Sequence, residues 1–169
     1  MRFSDNPDFD NLINKYREPL TRAAYHLCGN SEVALDIVQD TLIDAYKGFD
    51  GIRDKAKAGA WLYAILRRKA FAYRKIRDTE VDMSNESILS TQDEADSIVR
   101  EIYIDQMKRL PDEDREILAG KYLLGLSYKE LAESLGIKEG ALRVRCLRAK
   151  ERLRELLAQT QGRQEKCHS

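Results

Sequence analysis

Few residues in this sequence interrupt regular secondary structure, since 169 residues include three prolines and nine glycines. No segment alternates apolar and polar residues, with β-branched side chains, over the length of a strand. The long periodic segments all have the spacing of amphipathic helices. We therefore predict an all-α fold.

Long apolar runs are also absent, because no stretch of 18 or more residues is free of polar side chains. The first ten residues, MRFSDNPDFD, lack the apolar region of a signal peptide. We therefore expect a cytoplasmic protein with no membrane contact of its own.

Cysteine and histidine are scarce. Cys28, Cys146 and Cys167 are odd in number and far apart, which indicates neither a disulfide framework nor a zinc motif. The histidines are His26 and His168, and no phosphate-binding glycine loop or pair of catalytic carboxylates is recognisable. The adjacent Cys167 and His168 supply two ligands, fewer than a metal site needs. We expect no metal, no cofactor and no enzymatic activity.

The net charge of zero conceals an uneven distribution. Residues 1–77 contain 14 basic and 10 acidic residues, a net charge of +4, and residues 106–169 have the same counts. Residues 78–105 contain one basic and nine acidic residues, a net charge of −8. Two basic regions separated by an acidic one indicate two modules that bind nucleic acid, joined by a linker.

The segment Leu126–Arg154 has the pattern of a helix-turn-helix. Ser127 is a favourable N-cap, and Glu130 three residues later completes a capping box. Gly136 follows the last apolar position of this helix, where a left-handed residue ends helices. A longer second helix follows, and such a helix enters the DNA major groove in helix-turn-helix proteins.

The second helix is basic, with seven Lys or Arg residues between Lys138 and Arg154 against two acidic residues. Arg143 lies one turn from its start, where a guanidinium can reach the two acceptors of guanine. The later cations are suited to phosphates. The alternative is an ordinary pair of helices with a solvated basic face.

A helix predicted over Ala60–Arg77 combines cations with aromatic residues and contains no acid. Phosphates pair with the cations, and bases stack on the rings, when such segments bind single-stranded nucleic acid. The alternative is that Trp61, Tyr63 and Phe71 belong to the core and have a basic border. For Trp61 we favour burial in the core.

Two helices are predicted before this one, the first over Phe9–Leu27 and the second capped by Ser31. The exposed face of the second helix is acidic and polar, with Asp36, Gln39 and Asp40 among its residues. A solvated face is the simple explanation. In a chain otherwise suited to DNA, however, this face also fits a protein partner with a basic surface.

The composition predicts two domains and a linker. Residues 1–78 form the first domain, residues 79–94 a flexible acidic linker, and residues 95–169 the second domain, with a frayed tail from about residue 158. Helix resumes near Ala95, Pro111 breaks it, and the next helix covers Asp112–Tyr122 with Tyr122 pointing inward.

Three regions of the chain resemble one family. LPDEDREIL followed by GLSYKELAESLGIKEGALRVRCLRAKERLRELL resembles the domain that reads the promoter −35 element in bacterial extracytoplasmic-function sigma factors, group IV of the sigma-70 family. EVALDIVQDTLIDAYKGFD resembles their segment that docks on the β′ clamp helices of RNA polymerase. AWLYAILRRKAFAYRKIR resembles their helix at the −10 element.

The resemblance implies a sigma factor that binds core RNA polymerase (β′ clamp helices and β flap), recognises both promoter elements, promotes DNA melting and is held inactive by an anti-sigma factor. The implied polymerase contacts are Asp36, Gln39, Asp40 and Asp44. The implied −35 contacts are Lys138, Arg143, Val144, Arg145, Leu147, Arg148 and Lys150. The implied contacts to the −10 element and the separated strand are Arg53, Lys55, Lys57, Trp61, Arg67, Arg68, Lys69, Phe71, Tyr73, Arg74 and Lys75.

A second hypothesis is a stand-alone helix-turn-helix repressor or activator. Such a protein needs a dimerisation surface to match two DNA half-sites. No heptad run beyond the second helix supplies one, and the acidic face would have no function. The sigma factor hypothesis accounts for more of the chain.

Overall fold

The computed structural model describes residues 6–77, residue 103 and residues 105–166 of the chain. All regular secondary structure in these ranges is helical, which confirms the all-α prediction. The helices are α1 (Pro7–Cys28), α2 (Ser31–Gly48), α3 (Ala58–Arg77), α4 (Asp112–Leu118), α5 (Tyr128–Leu135) and α6 (Glu139–Lys166). The predicted linker 79–94 and the predicted helix start at Ala95 lie outside the described residues.

Local side-chain chemistry accounts for the first helix boundaries. The Asn6 side chain accepts hydrogen bonds from the backbone N–H groups of Asp8 and Phe9, at 3.1 and 3.4 Å. Gly29 ends α1 in the left-handed conformation, with φ of 72°. Asn30 caps α2 by accepting from the Val33 N–H, so the prediction that Ser31 is the cap was wrong by one residue. Asparagine and serine are comparable caps, and sequence alone did not separate them.

Three other predictions were wrong in detail. The helix predicted over Asp112–Tyr122 is an α-helix only to Leu118, and Ala119–Leu123 form one turn of π-helix. This wider turn leaves the predicted core residue Tyr122 half exposed. The chain predicted as a frayed tail from residue 158 continues as helix α6 to Lys166. The third predicted helix begins two residues earlier than expected, at Ala58.

One hydrophobic cluster contains residues from before residue 77 and from after residue 105. Helices α1, α2 and α3 pack together around Phe9, Ile13, Leu62 and Leu66, which are all buried. Residues after 105 belong to the same cluster, among them Ile117, Ala119, Leu131, Leu142 and Cys146. We call residues 6–77 the N-terminal half and residues 105–166 the C-terminal half. The two halves therefore pack against each other directly, whereas the domain boundaries themselves stay a prediction.

A second, smaller cluster stabilises the C-terminal half. Met107, Leu110 and Leu118 pack against Ala149 and Leu153 of helix α6. Burial of a Met or Leu side chain stabilises a fold by about 1.5–3 kcal/mol. This cluster holds α6 against α4, and so it fixes which face of α6 remains exposed to solvent.

Candidate nucleic-acid interface

The helix-turn-helix predicted from the sequence is present. The Ser127 side chain accepts a hydrogen bond from the Glu130 N–H at 3.2 Å, and the Glu130 carboxylate accepts from the Ser127 N–H at 2.8 Å. The Ser127 hydroxyl also donates to the Glu130 carboxylate at 2.6 Å. The hydrogen bonds from the hydroxyl and the N–H of Ser127 lower the pKa of the Glu130 carboxyl. Gly136 adopts φ of 67° and ends α5. The turn then places α6 against α5.

Helix α6 has one buried and one exposed face. Leu142, Cys146, Ala149 and Leu153 are buried at helical spacing, as the sequence predicted. The predicted −35 contacts lie on the exposed side: Lys138, Arg143, Val144, Arg145, Leu147 and Arg148 are exposed, and Lys150 is partly buried. The structure therefore brings this predicted set together on a single accessible surface.

Arg143 is held in place before any ligand binds. Its Nε and Nη2 donate to Glu139 Oε1 at 3.2 and 2.6 Å. Its guanidinium also lies 4.4 Å from the ring centroid of Tyr128, within the range of cation–π contacts. Neither Glu139 nor Tyr128 was predicted as a site residue. The spacing of four between Glu139 and Arg143 was the available sequence signal for the first contact.

The predicted −10 residues are divided between exposed and covered positions. Arg53, Lys55, Lys57, Arg68, Phe71 and Lys75 are exposed, whereas Trp61, Arg67, Lys69 and Tyr73 are partly buried and Arg74 is buried. The prediction of core burial for Trp61 is thus met only in part. On α3, Arg68, Phe71 and Lys75 share the exposed face, since they lie three and four residues apart.

The covered side of α3 contacts the C-terminal half. The hydroxyl of the fully buried Tyr63 donates to the Glu116 backbone carbonyl at 2.6 Å. The Arg67 guanidinium donates to the Glu116 carboxylate at 3.5 Å and to the Ser134 carbonyl at 3.1 Å. Arg74 donates to Asp112 at 2.8 Å. Two residues predicted to bind nucleic acid therefore bind the other half of the chain.

Glu116 is the most unusual ionisable group at this contact. Its side chain is 5% exposed, and Arg67 and Arg74 lie 3.5 and 3.9 Å away. Burial raises the pKa of the Glu116 carboxyl to about 7, since desolvation of the charged form exceeds the attraction of the two guanidinium groups. The sequence offered no signal for this residue, because α4 resembles any short acidic helix.

The predicted polymerase contacts lie on one side of α2. Asp36, Gln39 and Asp40 are exposed. Asp44 is different, because its carboxylate lies 2.7 Å from the Lys69 ammonium of α3. The hydrogen bond from Lys69 is the main cause of a lowered pKa for the Asp44 carboxyl.

Sequence reasoning missed an apolar row beside these acids. Leu35, Ile43 and Tyr46 are 50–52% exposed although they are large hydrophobic residues. They line a groove of about 410 Å³ between α1 and α2, together with Val38 and Leu42. Periodicity assigned Tyr46 to the core, because Tyr46 borders the buried face of the helix. Exposed apolar rows of this kind mark interaction surfaces.

The fold is that of a helix-turn-helix protein with a second basic helix, α3. Comparisons with known proteins identify its class. The model of Sigma-70 region 2 matches residues 12–79, and that of Sigma-70 region 4 matches residues 100–153. ECF RNA polymerase sigma factor SigL of Mycobacterium tuberculosis is 31% identical over 142 residues, which cover 79% of this chain and 80% of SigL. SigW of Bacillus subtilis is 28% identical over 171 residues, and the match covers 90% of this chain and 90% of SigW.

Solved structures agree with these relatives. The sigma factor RpoE of Bartonella quintana, crystallised with the anti-sigma factor NepR, is 27% identical, with a TM-score of 0.79, and the match covers 90% of this chain and 98% of RpoE. CnrH in complex with the cytosolic domain of CnrY is 24% identical, with a TM-score of 0.68, and has the same fold. The chain belongs to the family of ECF RNA polymerase sigma factors, which bind core RNA polymerase and recognise promoter DNA for transcription initiation.

Within residues 6–77, 103 and 105–166, no helix is long and apolar enough to cross a membrane. The pair Cys167 and His168 lies outside the described residues, so the structure does not test the prediction that it has no role.

Proposed function

We propose that the exposed face of α6 reads the −35 element in the major groove. The support is the separation of α6 into a buried apolar face and an accessible basic face. Arg143 and Arg148 are the proposed base contacts, with Val144 and Leu147 against apolar base edges, because bidentate guanidinium groups match guanine. Lys138, Arg145 and Lys150 are the proposed phosphate contacts.

The proposed −10 surface comprises α3 and the loop before it. Arg68 and Lys75 are exposed on α3, and Phe71 between them is 37% exposed, with the Arg74 guanidinium 4.6 Å from its ring centroid. This cation–aromatic–cation row is suited to an extended strand. Arg53, Lys55 and Lys57 extend this basic surface along the preceding loop. The remaining proposed members of this surface are Trp61, Arg67, Lys69, Tyr73 and Arg74.

The proposed polymerase surface is the exposed side of α2. Acidic residues Asp36 and Asp40 lie beside the apolar row of Leu35, Ile43 and Tyr46. An acidic row with an adjacent apolar row fits a basic, amphipathic coiled coil such as the β′ clamp helices, with the acids setting orientation and the apolar residues supplying area. This surface is the observation that most favours a polymerase subunit over a stand-alone regulator, which would leave it without a partner.

The remaining proposals concern organisation and regulation. The N-terminal and C-terminal domains are proposed at residues 1–78 and 95–169, with the β flap as the partner of the second. An anti-sigma factor is the proposed inhibitor, since the related RpoE was crystallised with one. We also propose that the chain acts in the cytoplasm and by binding alone, without catalysis.

Run-off transcription with purified core RNA polymerase on a pool of promoter fragments tests the proposal. Core polymerase with the chain is expected to yield discrete transcripts, whereas core polymerase alone yields none. A stand-alone regulator would instead bind duplex promoter DNA without polymerase and would add no transcript. That result would contradict the proposed function.

A further inference from the structure

The ion pairs between the two halves share one polarity. Lys57 Nζ lies 3.1 Å from Glu133, Arg67 lies 3.5 Å from Glu116, and Arg74 lies 2.8 Å from Asp112 and 3.9 Å from Glu116. In each pair the N-terminal half provides the cation and the C-terminal half provides the carboxylate. Three cations of the proposed −10 surface are thus paired with acids of the proposed −35 module.

These pairs use the same chemistry as phosphate binding. A guanidinium donates to carboxylate and phosphate oxygens through the same planar set of N–H groups. Arg67 and Arg74 are seven residues apart and lie on one side of α3, two turns from each other. Asp112 and Glu116 are one turn apart on α4, so their carboxylates meet this side of α3 as a short row of negative charge.

The paired cations are also covered. The Arg74 side chain is 5% exposed and that of Arg67 is 25% exposed. Tyr63, on the same side of α3, is fully buried against α4 and the π turn. A strand of nucleic acid cannot reach these guanidinium groups while the C-terminal half lies against α3. Arg68 and Lys75, on the other side of the helix, remain open to solvent.

We propose that the C-terminal half is an internal competitor for nucleic acid, in which the carboxylates of Asp112, Glu116 and Glu133 occupy the positions of strand phosphates on α3. Full engagement of a single strand then requires separation of the two halves. The inference rests on the proposed role of α3 in binding the −10 strand, and it extends that role by assigning a second, intramolecular ligand to the same cations.

Two of the ion pairs, Arg74 with Asp112 and Lys57 with Glu133, lie at the edge of this contact and can separate readily. The side chains of Asp112 and Glu133 are each 48% exposed, so water and salt screen both pairs. Exposed pairs of this kind each change an equilibrium by about 1.5-fold to fivefold. When the binding-competent state is a minor one, destabilising the closed arrangement raises apparent affinity by the same factor.

The decisive experiment compares two doubly substituted chains with equal net charge. Asp112→Asn with Glu133→Gln removes the two exposed carboxylates at the contact. Glu151→Gln with Glu155→Gln is the control, because both residues are exposed on α6 and take no part in the pairs described above. Affinity for a fluorescein-labelled single-stranded oligonucleotide is measured by anisotropy.

The contact variant is expected to bind about two- to twentyfold more tightly than the control variant. Small-angle neutron scattering with the oligonucleotide contrast-matched should also show a larger radius of gyration for the wild-type chain at saturating oligonucleotide than without it. Equal affinity of the two variants, or an unchanged radius of gyration, would overturn the proposal that the C-terminal half competes with nucleic acid.

A third variant separates this inference from the proposed function. Arg68→Ala with Lys75→Ala removes cations from the open face of α3 and leaves the contact with the C-terminal half intact. Weaker oligonucleotide binding by this variant supports the role of α3 in single-strand binding. If it binds as the wild type does, that role is wrong. If this variant binds the oligonucleotide more weakly, but the variant with Asp112→Asn and Glu133→Gln binds no more tightly than its control, then α3 binds the strand and the C-terminal half does not compete for it.

Discussion

The Lys69 ammonium lies 2.7 Å from the Asp44 carboxylate and joins α3 to α2. Asp44 belongs to the proposed polymerase surface and Lys69 to the proposed nucleic-acid surface. A substitution at either position therefore changes both surfaces, because the partner loses its ion pair. The pair makes Asp44 unsuitable for a clean test of polymerase binding, since Asp44→Lys would place two ammonium groups against each other.

Polymerase binding is better tested at the exposed acids of the same helix. Asp36→Lys with Asp40→Lys should lower affinity for core RNA polymerase by at least about tenfold, because like charges face each other across the proposed interface. Co-purification with core polymerase measures this, and circular dichroism checks the fold. Glu18→Lys with Glu155→Lys changes the net charge equally, affects exposed residues outside α2, and should bind normally. Retained binding by the Asp36 and Asp40 variant would exclude this docking surface.

Base reading by α6 should be visible in the sequence dependence of binding. Arg143→Ala or Arg148→Ala should cost roughly 1–3 kcal/mol of discrimination between cognate and altered −35 sequences. Arg145→Ala should weaken binding to all sequences about equally, as a phosphate contact does. Competition transcription on paired promoter fragments measures the ratio. Uniform weakening by the Arg143 and Arg148 variants would reassign both residues to phosphates.

The close approach of α3 to the π turn depends on Gly120. A Cβ at this position would lie 2.8 Å from Tyr63 Cε1 and 2.7 Å from Leu131 Cδ1, so Gly120→Ala should destabilise the protein by about 1–3 kcal/mol. Denaturant unfolding measures the change. The matched control is Gly140→Ala on α6, where no atom lies within 4 Å of the added Cβ. This control should stabilise the helix by up to about 1 kcal/mol. If Gly120→Ala leaves the unfolding free energy unchanged, α3 and the π turn are not held closely together.

The raised pKa of the Glu116 carboxyl predicts that the stability of the folded chain depends on pH. Its pKa is about 7 in the folded chain and 4.5 ordinarily, so between these values the folded chain binds a proton that the unfolded chain has lost. The contribution of Glu116 to stability is therefore greatest below pH 4.5, falls as the pH rises to about 7, and is constant above that. Unfolding free energies of wild type and Glu116→Gln, measured across this window, should diverge with increasing pH. A constant difference would contradict the raised pKa.

Much of the secondary structure and of the −35 surface was predictable because the signals are local. The capping box of Ser127 and Glu130 and the left-handed Gly136 lie within ten residues of each other, and the structure has all three as predicted. The apolar period of α6 likewise determined which cations are exposed. The ranking of similar caps, such as Asn30 over Ser31, and the π-helical turn at Ala119–Leu123 were beyond such signals.

Tertiary structure decided how the two basic regions are used. Arg74 and Asp112 are 38 residues apart in sequence, and Tyr63 and Glu116 are 53 apart, so neither contact has a local pattern. The sequence determined that α3 is basic, helical and amphipathic. Packing of the C-terminal half against one side of that helix determined that Arg67 and Arg74 are paired with carboxylates while Arg68 and Lys75 are open. The physical reason is that a helical period specifies which residues share a face, whereas burial of that face depends on what another part of the chain brings to it.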